Sequence, residues 1–345
     1  MQDFYTEKKV KLAIVILNWN GRDFLEKFLP ALVARTPDWA EIVVADNAST
    51  DDSVSFLREY YPNIRLILNE ENYGFAKGYN VALAQLDAEY FCLLNSDIEV
   101  TEGWVEPVLE LMERDRRVAA VQPKIRSFHQ RDAFEYAGAS GGFLDKYGYP
   151  FCRGRVFDTV EIDHGQYDNA IDIFWATGAA LFVRSDVYKS VGGFDDDFFA
   201  HMEEIDLCWR IKNLGYRIMV EPRSVVFHVG GGTLPKSNAF KTFLNFRNNH
   251  YLLIKNLPRK RFIPTFIVRL ILDNVAALSF LLKGNGKDFC AVYKAHKAVL
   301  QNYKKIKIKR LNHSFTAYHD IEKCPVLIAY HLLRKHRFDG DKFLS

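Results

Sequence analysis

Cysteine is scarce: five in 345 residues, standing singly at 92, 152, 208, 290 and 324. The number is odd and no two are at metal-ligand spacing. This points away from a disulfide framework or a cysteine-bound zinc module and toward reduced structural thiols. A long apolar run is missing from the N-terminus. The first run, Leu12 to Leu17, ends at Asn18 after six residues, too short for a secretory signal. It reads as a buried strand, in a protein expected to stay in the cytoplasm. The G-x-G-x-x-G turn of dinucleotide-binding folds is also absent, replaced by Asn18-Trp19-Asn20-Gly21, and there is no Walker loop. A glycine-rich backbone cradle is therefore not the main device for holding phosphate. A divalent cation bridging phosphate oxygens is the natural substitute. Internal repeats and low-complexity linkers are lacking as well.

What is present is enough chain for one large α/β domain or two modest ones, with 48% hydrophobic residues to fill the core. The net charge of +3 conceals an asymmetry: residues 1–240 sum to −12 and residues 241–345 to +15. An acidic body with a basic tail implies two jobs, the tail favouring an anionic surface.

The first 125 residues alternate strand and helix. Leu12–Asn18, Glu41–Asp46, Ile64–Asn69, Tyr90–Asn95 and Val118–Gln122 read as strands. Asp23–Ala34, Asp52–Tyr60, Phe75–Leu86 and Trp104–Arg114 read as the helices between them. Unbroken apolar strands separated by helices predict a mostly parallel central sheet covered on both faces. Residues 130–175 show loops and short strands, 186–192 and 203–214 helices, and 217–228 a strand ending at His228. Beyond 240 the chain is basic and helical. We divide it into a catalytic domain, 1–240, with halves 10–125 and 126–240, and an extension, 241–345. Ligands of such sheets bind at the carboxyl ends of the strands. Four consecutive strands end here in Asn, Asp and small residues: Asn18-Trp19-Asn20-Gly21, Asp46 to Asp51, Asn69 to Gly74, and Asn95-Ser96-Asp97.

Asp97, just past an apolar strand, suits a hard divalent cation, Mg2+ or Mn2+, though a turn aspartate would sit there equally well. Asp46 can accept the N–H of a uracil- or thymine-like base, while Asp51 suits the same cleft or a cap on the helix at Ser53. Glu203, Glu204 and Asp206 are three acids in four residues. They could simply favour a helix N-terminus. They also follow an apolar-aromatic approach, Phe194 to Met202, which would desolvate a carboxylate and suit it as a general base. His228 ends an apolar strand before Gly230-Gly231-Gly232, as either a structural histidine or a metal ligand.

At these residues a pattern is recognisable. The pieces VILNWNGRDFLEKFLPAL, VVADNASTDDSV, NYGFAKGYNVAL, LLNSDIEV, ATGAALFVRSDVYKSVGGFDDDFFAHMEEIDLCWRIKNLGY and HVGGGT occur in order over about residues 10–250. The chain resembles family 2 glycosyltransferases, inverting enzymes of GT-A fold, most closely their rhamnosyltransferase-like branch. The resemblance implies that Asp46 contacts the base with Asn18 and Asp51 nearby, and that Asn72, Gly74, Lys77 and Asn80 line the nucleotide side. It makes Asp97 the last Asp of the D-x-D metal motif, with His228 as a further metal ligand. Glu204 becomes the catalytic base with Glu203 and Asp206 beside it, and Trp175, Thr177 and Gly178 lie under the acceptor. Two residues depart from the family: Asn95 replaces the first Asp of D-x-D, and Glu204 stands where Asp is usual. The donor expected is a nucleoside-diphosphate sugar (dTDP, UDP or GDP; rhamnose is the branch-level choice). The acceptor expected is a glycan or lipid-linked hydroxyl in cell-surface polysaccharide synthesis.

Residues 262–282 are mostly apolar but interrupted by Arg269, Asp273 and Asn274, and flanked by Arg259-Lys260-Arg261 and by Lys283 and Lys287. A spanning helix, a buried helix and an interfacial amphipathic helix are the three readings. Lys304, Lys305, Lys307, Lys309 and Arg310 would extend a basic patch toward an anionic inner membrane face. No nucleic-acid-binding motif accompanies the charge. The rival functions are a nucleotidyltransferase, which would release pyrophosphate, and a catalytically decayed sugar-nucleotide-binding scaffold.

Overall fold

The computed structural model describes residues 10–230, 238–310, 316–321, 323 and 325–338. The N-terminal half is built from β1 (Val10–Asn18), α1 (Arg22–Ala34), β2 (Ala40–Asp46), α2 (Ser53–Tyr60), β3 (Arg65–Leu68), α3 (Gly74–Leu83) and β4 (Ala88–Leu94). Then come β5 (Ile98–Val100), α4 (Glu106–Arg114) and β6 (Val118–Ser127). The stretch without clear periodicity supplies short strands: β7 (Gly142–Leu144), β8 (Pro150–Cys152), β9 (Arg155–Val156), β10 (Thr159–Val160) and β11 (Ile171–Asp172). They are followed by β12 (Ala180–Arg184), α5 (Ser185–Ser190), α6 (Glu203–Asn213) and β13 (Arg217–His228). The basic region forms α7 (Ala239–Asn256), α8 (Arg259–Leu282), α9 (Gly286–Ile308) and a short α10 (Val326–His331).

The central sheet runs β11-β13-β6-β12-β4-β1-β2-β3, with β5 paired to β13; β7 to β10 form a second, small sheet. β1 pairs in parallel with both β2 and β4, β2 with β3, and β13 with β6. Alternation along β1 explains why the sheet is covered on both sides. Leu12, Ile14 and Ile16 enter one core with α1, α2 and α4, while Ala13 and Val15 enter the other with α3 and α6. A strand buried on both faces has no polar side, so it reads as an unbroken apolar run.

One antiparallel strand was not legible in the sequence: β12, which lies between β4 and β6. It is short and apolar up to its last residue, Arg184, and lacks the alternation that marks a strand. Its position is decisive for the site, because Ala180 opposes Leu94 and Asn95 N–H donates to Ala179 O at 2.9 Å. The segment entering β12 is thereby held beside the segment leaving β4. β13 brings in the third strand end, with His228 opposite Ile98.

The boundary drawn at 240 falls just inside α7, which packs on α6 and α9. In α8 the two charged residues that interrupt the apolar run, Arg269 and Asp273, are buried with Thr265 and Ala277, while Asn274 is exposed. Asp273 meets His250 at 2.7 Å, His296 at 3.1 Å and Arg269 at 3.2 Å. The opposite face carries Ile263, Ile267, Ile271, Val275, Leu278 and Leu282, each more than half exposed.

Candidate active site

The site lies at the carboxyl ends of β1, β2 and β4, where polar side chains replace the apolar runs. Asn18 is fully buried and donates to Asp46 Oδ1 at 3.0 Å and Ser49 Oγ at 3.2 Å. Ser49 N–H donates to the other oxygen of Asp46 at 2.9 Å. Each carboxylate oxygen accepts one bond and keeps a lone pair for a ligand N–H. Gly21 is required here, since a Cβ would lie 2.4 Å from Asn18 Oδ1.

Asp51 turns out to be a double cap. Its oxygens accept the N–H of Ser53 and the N–H of Arg22, both at 3.1 Å, at the starts of α2 and α1. Burial opposes its ionisation, but these hydrogen bonds outweigh it and hold its pKa below the usual range. Asn72 and Gly74 are joined by Asn47, a residue the sequence reading passed over. Asn47 donates to Asn72 Oδ1 at 2.9 Å and Gly74 O at 3.1 Å, and accepts from Asn69 at 3.0 Å. Lys77 reaches the surface, 3.8 Å from the Tyr73 ring centroid and 3.8 Å from Glu71. Asn80 does not line the nucleotide side. Its amide donates to Phe194 O and Asp196 and accepts from Tyr188 and Phe194 N–H, so its full capacity braces the 193–196 turn.

Asp97 and His228 meet as the strand ends dictate, with Oδ1 3.1 Å from Nε2. His228 Nδ1 lies 3.2 Å from Glu135 Oε2. All three are buried. Glu135 was missed because it sits in a stretch without period, and no spacing links it to its partners. Burial alone would lower the His228 pKa, but Asp97 and Glu135 outweigh it and push it up to about 10. Burial likewise works against the Asp97 carboxylate, yet His228 holds its pKa below the usual range. The donor set fits a divalent cation. A carboxylate oxygen and an imidazole nitrogen converge, and the second carboxylate sits behind the imidazole, where it would fix the ring tautomer. Asn95 is half-buried two residues before Asp97, its N–H fixed on Ala179. Of the glycines after His228, Gly231 and Gly232 lie outside the described residues.

The acids of α6 divide by role. Asp206 is fully buried and bonded to Arg210, Lys255 and Asn256, each at 2.8 Å. It is a structural tie between α6 and α7, and two residues along the helix it does not share a face with Glu204. Glu203 and Glu204 each keep a buried oxygen, Oε2, without a hydrogen-bond partner. Burial, followed by the charge of Glu204, drives the Glu203 pKa well up. Burial raises that of Glu204 to about 7. The wall opposite Glu204 is Gly178, whose added Cβ would meet Phe75 at 2.9 Å and Glu204 Cβ at 3.8 Å. Thr177 is buried and accepts from Ala179 N–H at 3.2 Å. Trp175 is buried, with its indole N–H on Phe143 O at 2.8 Å. Trp175 packs closely on Gly142 and Thr177 on Gly138.

The loop before α6 is strained: Phe199, His201 and Met202 have φ of 64°, 69° and 71°. Non-glycine residues in this region persist only where surrounding structure over-determines them, typically at functional sites. Phe199 O accepts from Phe75 N–H at 2.9 Å, and the Phe199 ring fills the space that a side chain on Gly74 would need. The N-terminal half thus touches the loop that delivers the acids.

The glycosyl transferase family 2 model matches residues 13–167. Over 235 residues the chain is 28% identical to an N-acetylglucosaminyl-diphospho-decaprenol L-rhamnosyltransferase of Mycobacterium tuberculosis, covering 63% of this chain and 75% of that one. It is 25% identical over 224 residues to rhamnosyltransferase WbbL of Escherichia coli, covering 62% and 82%. Among solved structures it is similar to the mannosyltransferase PcManGT of Pyrobaculum calidifontis in complex with GDP-Man and Mn2+. That likeness has 15% identity and a TM-score of 0.52, and covers 96% of this chain and 89% of that one. GalNAc-T7 with UDP, GalNAc and Mn2+ gives 15% identity and a TM-score of 0.57, with 74% of this chain covered and about half, 49%, of the other. The structural likenesses carry the fold; the family match over residues 13–167 and the rhamnosyltransferase relatives make the chain similar to glycosyl transferase family 2, in its rhamnosyltransferase-like branch, and support glycosyl transfer.

Proposed function

We propose that this glycosyltransferase inverts the anomeric centre of a nucleoside-diphosphate sugar, rhamnose on dTDP being the first choice, and that a divalent cation assists it. The observation that carries the reading is that Gly178, the wall beside Glu204, directly precedes Ala179, whose carbonyl is bonded by Asn95 two residues before Asp97. Asp46, with Asn18 behind it, receives the base, and Lys77 is free to reach phosphate. Glu204 takes the proton of the acceptor hydroxyl as its oxygen forms the new bond to the anomeric carbon. The bond from that carbon to the diphosphate oxygen breaks with its electron pair, so no covalent enzyme intermediate is needed. Asp97 and His228 would hold Mg2+ or Mn2+, with Glu135 orienting the imidazole; a cation bound there would supply positive charge for the departing diphosphate.

The acceptor in this reading is a hydroxyl of a glycan or lipid-linked saccharide, met at the cytoplasmic face of an anionic membrane. Support comes from α8. It is long and apolar enough to cross a bilayer by length and composition, but its charged residues are spent inside the protein. Its apolar stripe faces out between exposed Arg259, Lys260 and Arg261 at one end and Lys283 and Lys287 at the other. An apolar face with basic flanks suits an interfacial helix. The wider basic patch expected from the sequence is smaller than supposed. Lys305 pairs with Asp197, Lys309 pairs with Asp195 and Asp197, and Arg310 bonds the carbonyls of Ile254 and Leu257. Lys304 and Lys307 remain exposed.

The test is thermal stability against dTDP, UDP, GDP, CDP and ADP, with and without Mn2+ or Mg2+. A diphosphate at 100 times its Kd stabilises by about 2.7 kcal/mol. A metal-linked shift with one diphosphate, lost in Asp97→Ala, is expected. No metal-linked shift with any of them would refute the cation site. Turnover without release of pyrophosphate sets the reading apart from a nucleotidyltransferase, and turnover at all sets it apart from a decayed scaffold.

A further inference from the structure

The strained loop that delivers Glu203 and Glu204 is held from outside the sheet, by α7. Asn248 is fully buried, and its single amide nitrogen lies 2.9 Å from Phe198 O, 2.8 Å from Ala200 O and 2.7 Å from His201 O. Its own oxygen accepts from Arg247 Nε at 2.8 Å. The Arg247 guanidinium then donates to Asp197 O at 3.1 Å and Phe198 O at 2.9 Å. Two adjacent side chains of one helix therefore engage four of the five consecutive peptide carbonyls from Asp197 to His201; the fifth, that of Phe199, is taken by α3. These bonds bracket two of the three left-handed residues, Phe199 and His201, and end one residue before the third, Met202.

We propose that Asn248, seconded by Arg247, is a positioning residue for the transfer reaction: it fixes the 198–202 loop so that Glu204 stands at the acceptor hydroxyl. This rests on the assignment of Glu204 as the base. The physical reason is that left-handed backbone at bulky residues relaxes once its restraints are removed. The loop runs directly into the first turn of α6, so relaxation there moves the acids. It does not move Asp46, Asp97 or His228, which sit on strand ends of the sheet. The clamp therefore acts on the chemical step and leaves donor binding alone. A displacement of about 1 Å at a reacting group can cost on the order of 100-fold in rate.

The experiment measures kcat, donor KM and nucleoside-diphosphate affinity for Asn248→Ala, Glu204→Gln and the double variant in the full chain. For Asn248→Ala we expect kcat to fall about 10- to 100-fold, with diphosphate affinity within about twofold of the wild type. The double variant should be no slower than Glu204→Gln alone, because the clamp has no base left to position. A folded Asn248→Ala protein with kcat within twofold of the wild type overturns the proposal. So does a parallel loss of diphosphate affinity, or a loss that multiplies with that of Glu204→Gln. If Asn248→Ala does not fold, Arg247→Ala, at a half-buried position, gives the same reading: several-fold lower kcat with diphosphate affinity kept, or refutation by unchanged kcat. A fully active Glu204→Gln protein would instead refute the base assignment, a distinct outcome visible in the single variant.

Discussion

The Glu204 carboxyl is the group whose chemistry the structure specifies most sharply. Burial raises its pKa from the usual carboxylate range to about 7. A base must be ionised, so kcat/KM should rise with pH through about 7 and level off above it. At pH 6 about one tenth of the sites carry the carboxylate, and the rate should be about one tenth of the plateau. Glu204→Gln keeps the shape and removes the base, so plateau kcat/KM should drop about 100- to 10,000-fold and the limb near 7 should vanish from the residual activity. Glu203→Gln removes a carboxylate whose ionisation burial and the Glu204 charge already oppose, and should cost far less. Stability has the opposite slope. The folded protein binds the proton more tightly than the unfolded chain. The favourable contribution of Glu204 is therefore complete below about pH 4.5 and is lost as pH rises through about 7. Its full size is roughly 3 kcal/mol at most, taking 1.36 kcal/mol per pH unit. Glu204→Gln should thus melt above the wild type at pH 8 and alongside it near pH 4. A variant within tenfold of wild-type kcat/KM at pH 8, or one that keeps the acid limb, would refute the base. A melting difference that does not depend on pH would refute the burial argument.

Glu135→Gln should weaken Mn2+ binding about 10- to 100-fold, the usual cost of losing the partner behind a metal-bound imidazole. Calorimetric titration with Mn2+ in the presence of diphosphate checks it, and unchanged affinity would detach Glu135 from the site. Asp206→Ala should destabilise by about 3–5 kcal/mol in denaturant unfolding, because Lys255 and Arg210 would keep buried charges without their partner. A loss below about 1 kcal/mol would show that α6 and α7 do not depend on this tie. Paired substitutions Ile267→Glu and Ile271→Glu on the outward face of α8 should abolish co-sedimentation with vesicles containing anionic lipid, without changing the melting temperature by more than a few degrees. Equal sedimentation of the two proteins would remove α8 from the membrane-facing surface.

The nucleotide half was open to reading because its signal is local. Strands such as Tyr90–Asn95 are buried on both faces and are therefore continuously apolar, and each ligand-facing residue follows its strand within a few positions. Asp46 and Asp97 could be named for that reason. What escaped depends on pairing across long sequence distances. β12 has too few residues to show a period. Glu135 reaches His228 only because β6, β13 and the loop after β6 come together. Asn47 looks like one more polar turn residue until its side chain is seen joining two loops. The acids of α6 were found as a cluster, but which of them faces the cleft was decided by α7, whose Lys255 and Asn256 claim Asp206. Asn80 failed for the same reason: its partners at 188–196 are more than 100 residues away.

The pairing of α7 with the loop at 198–201 bears on how such enzymes can be recombined. A cut at the change of charge near residue 240 would appear to separate a catalytic body from an exchangeable tail. Yet the body would then leave behind Asn248, Lys255 and Asn256, which hold its own acids in place. Nor does a cut at Leu257-Pro258 free the body, because Lys305 and Lys309 of the later helices pair with Asp197 and Asp195 ahead of α6. A chimera between relatives therefore has to exchange the helices together with the acidic turn they clasp, or keep both.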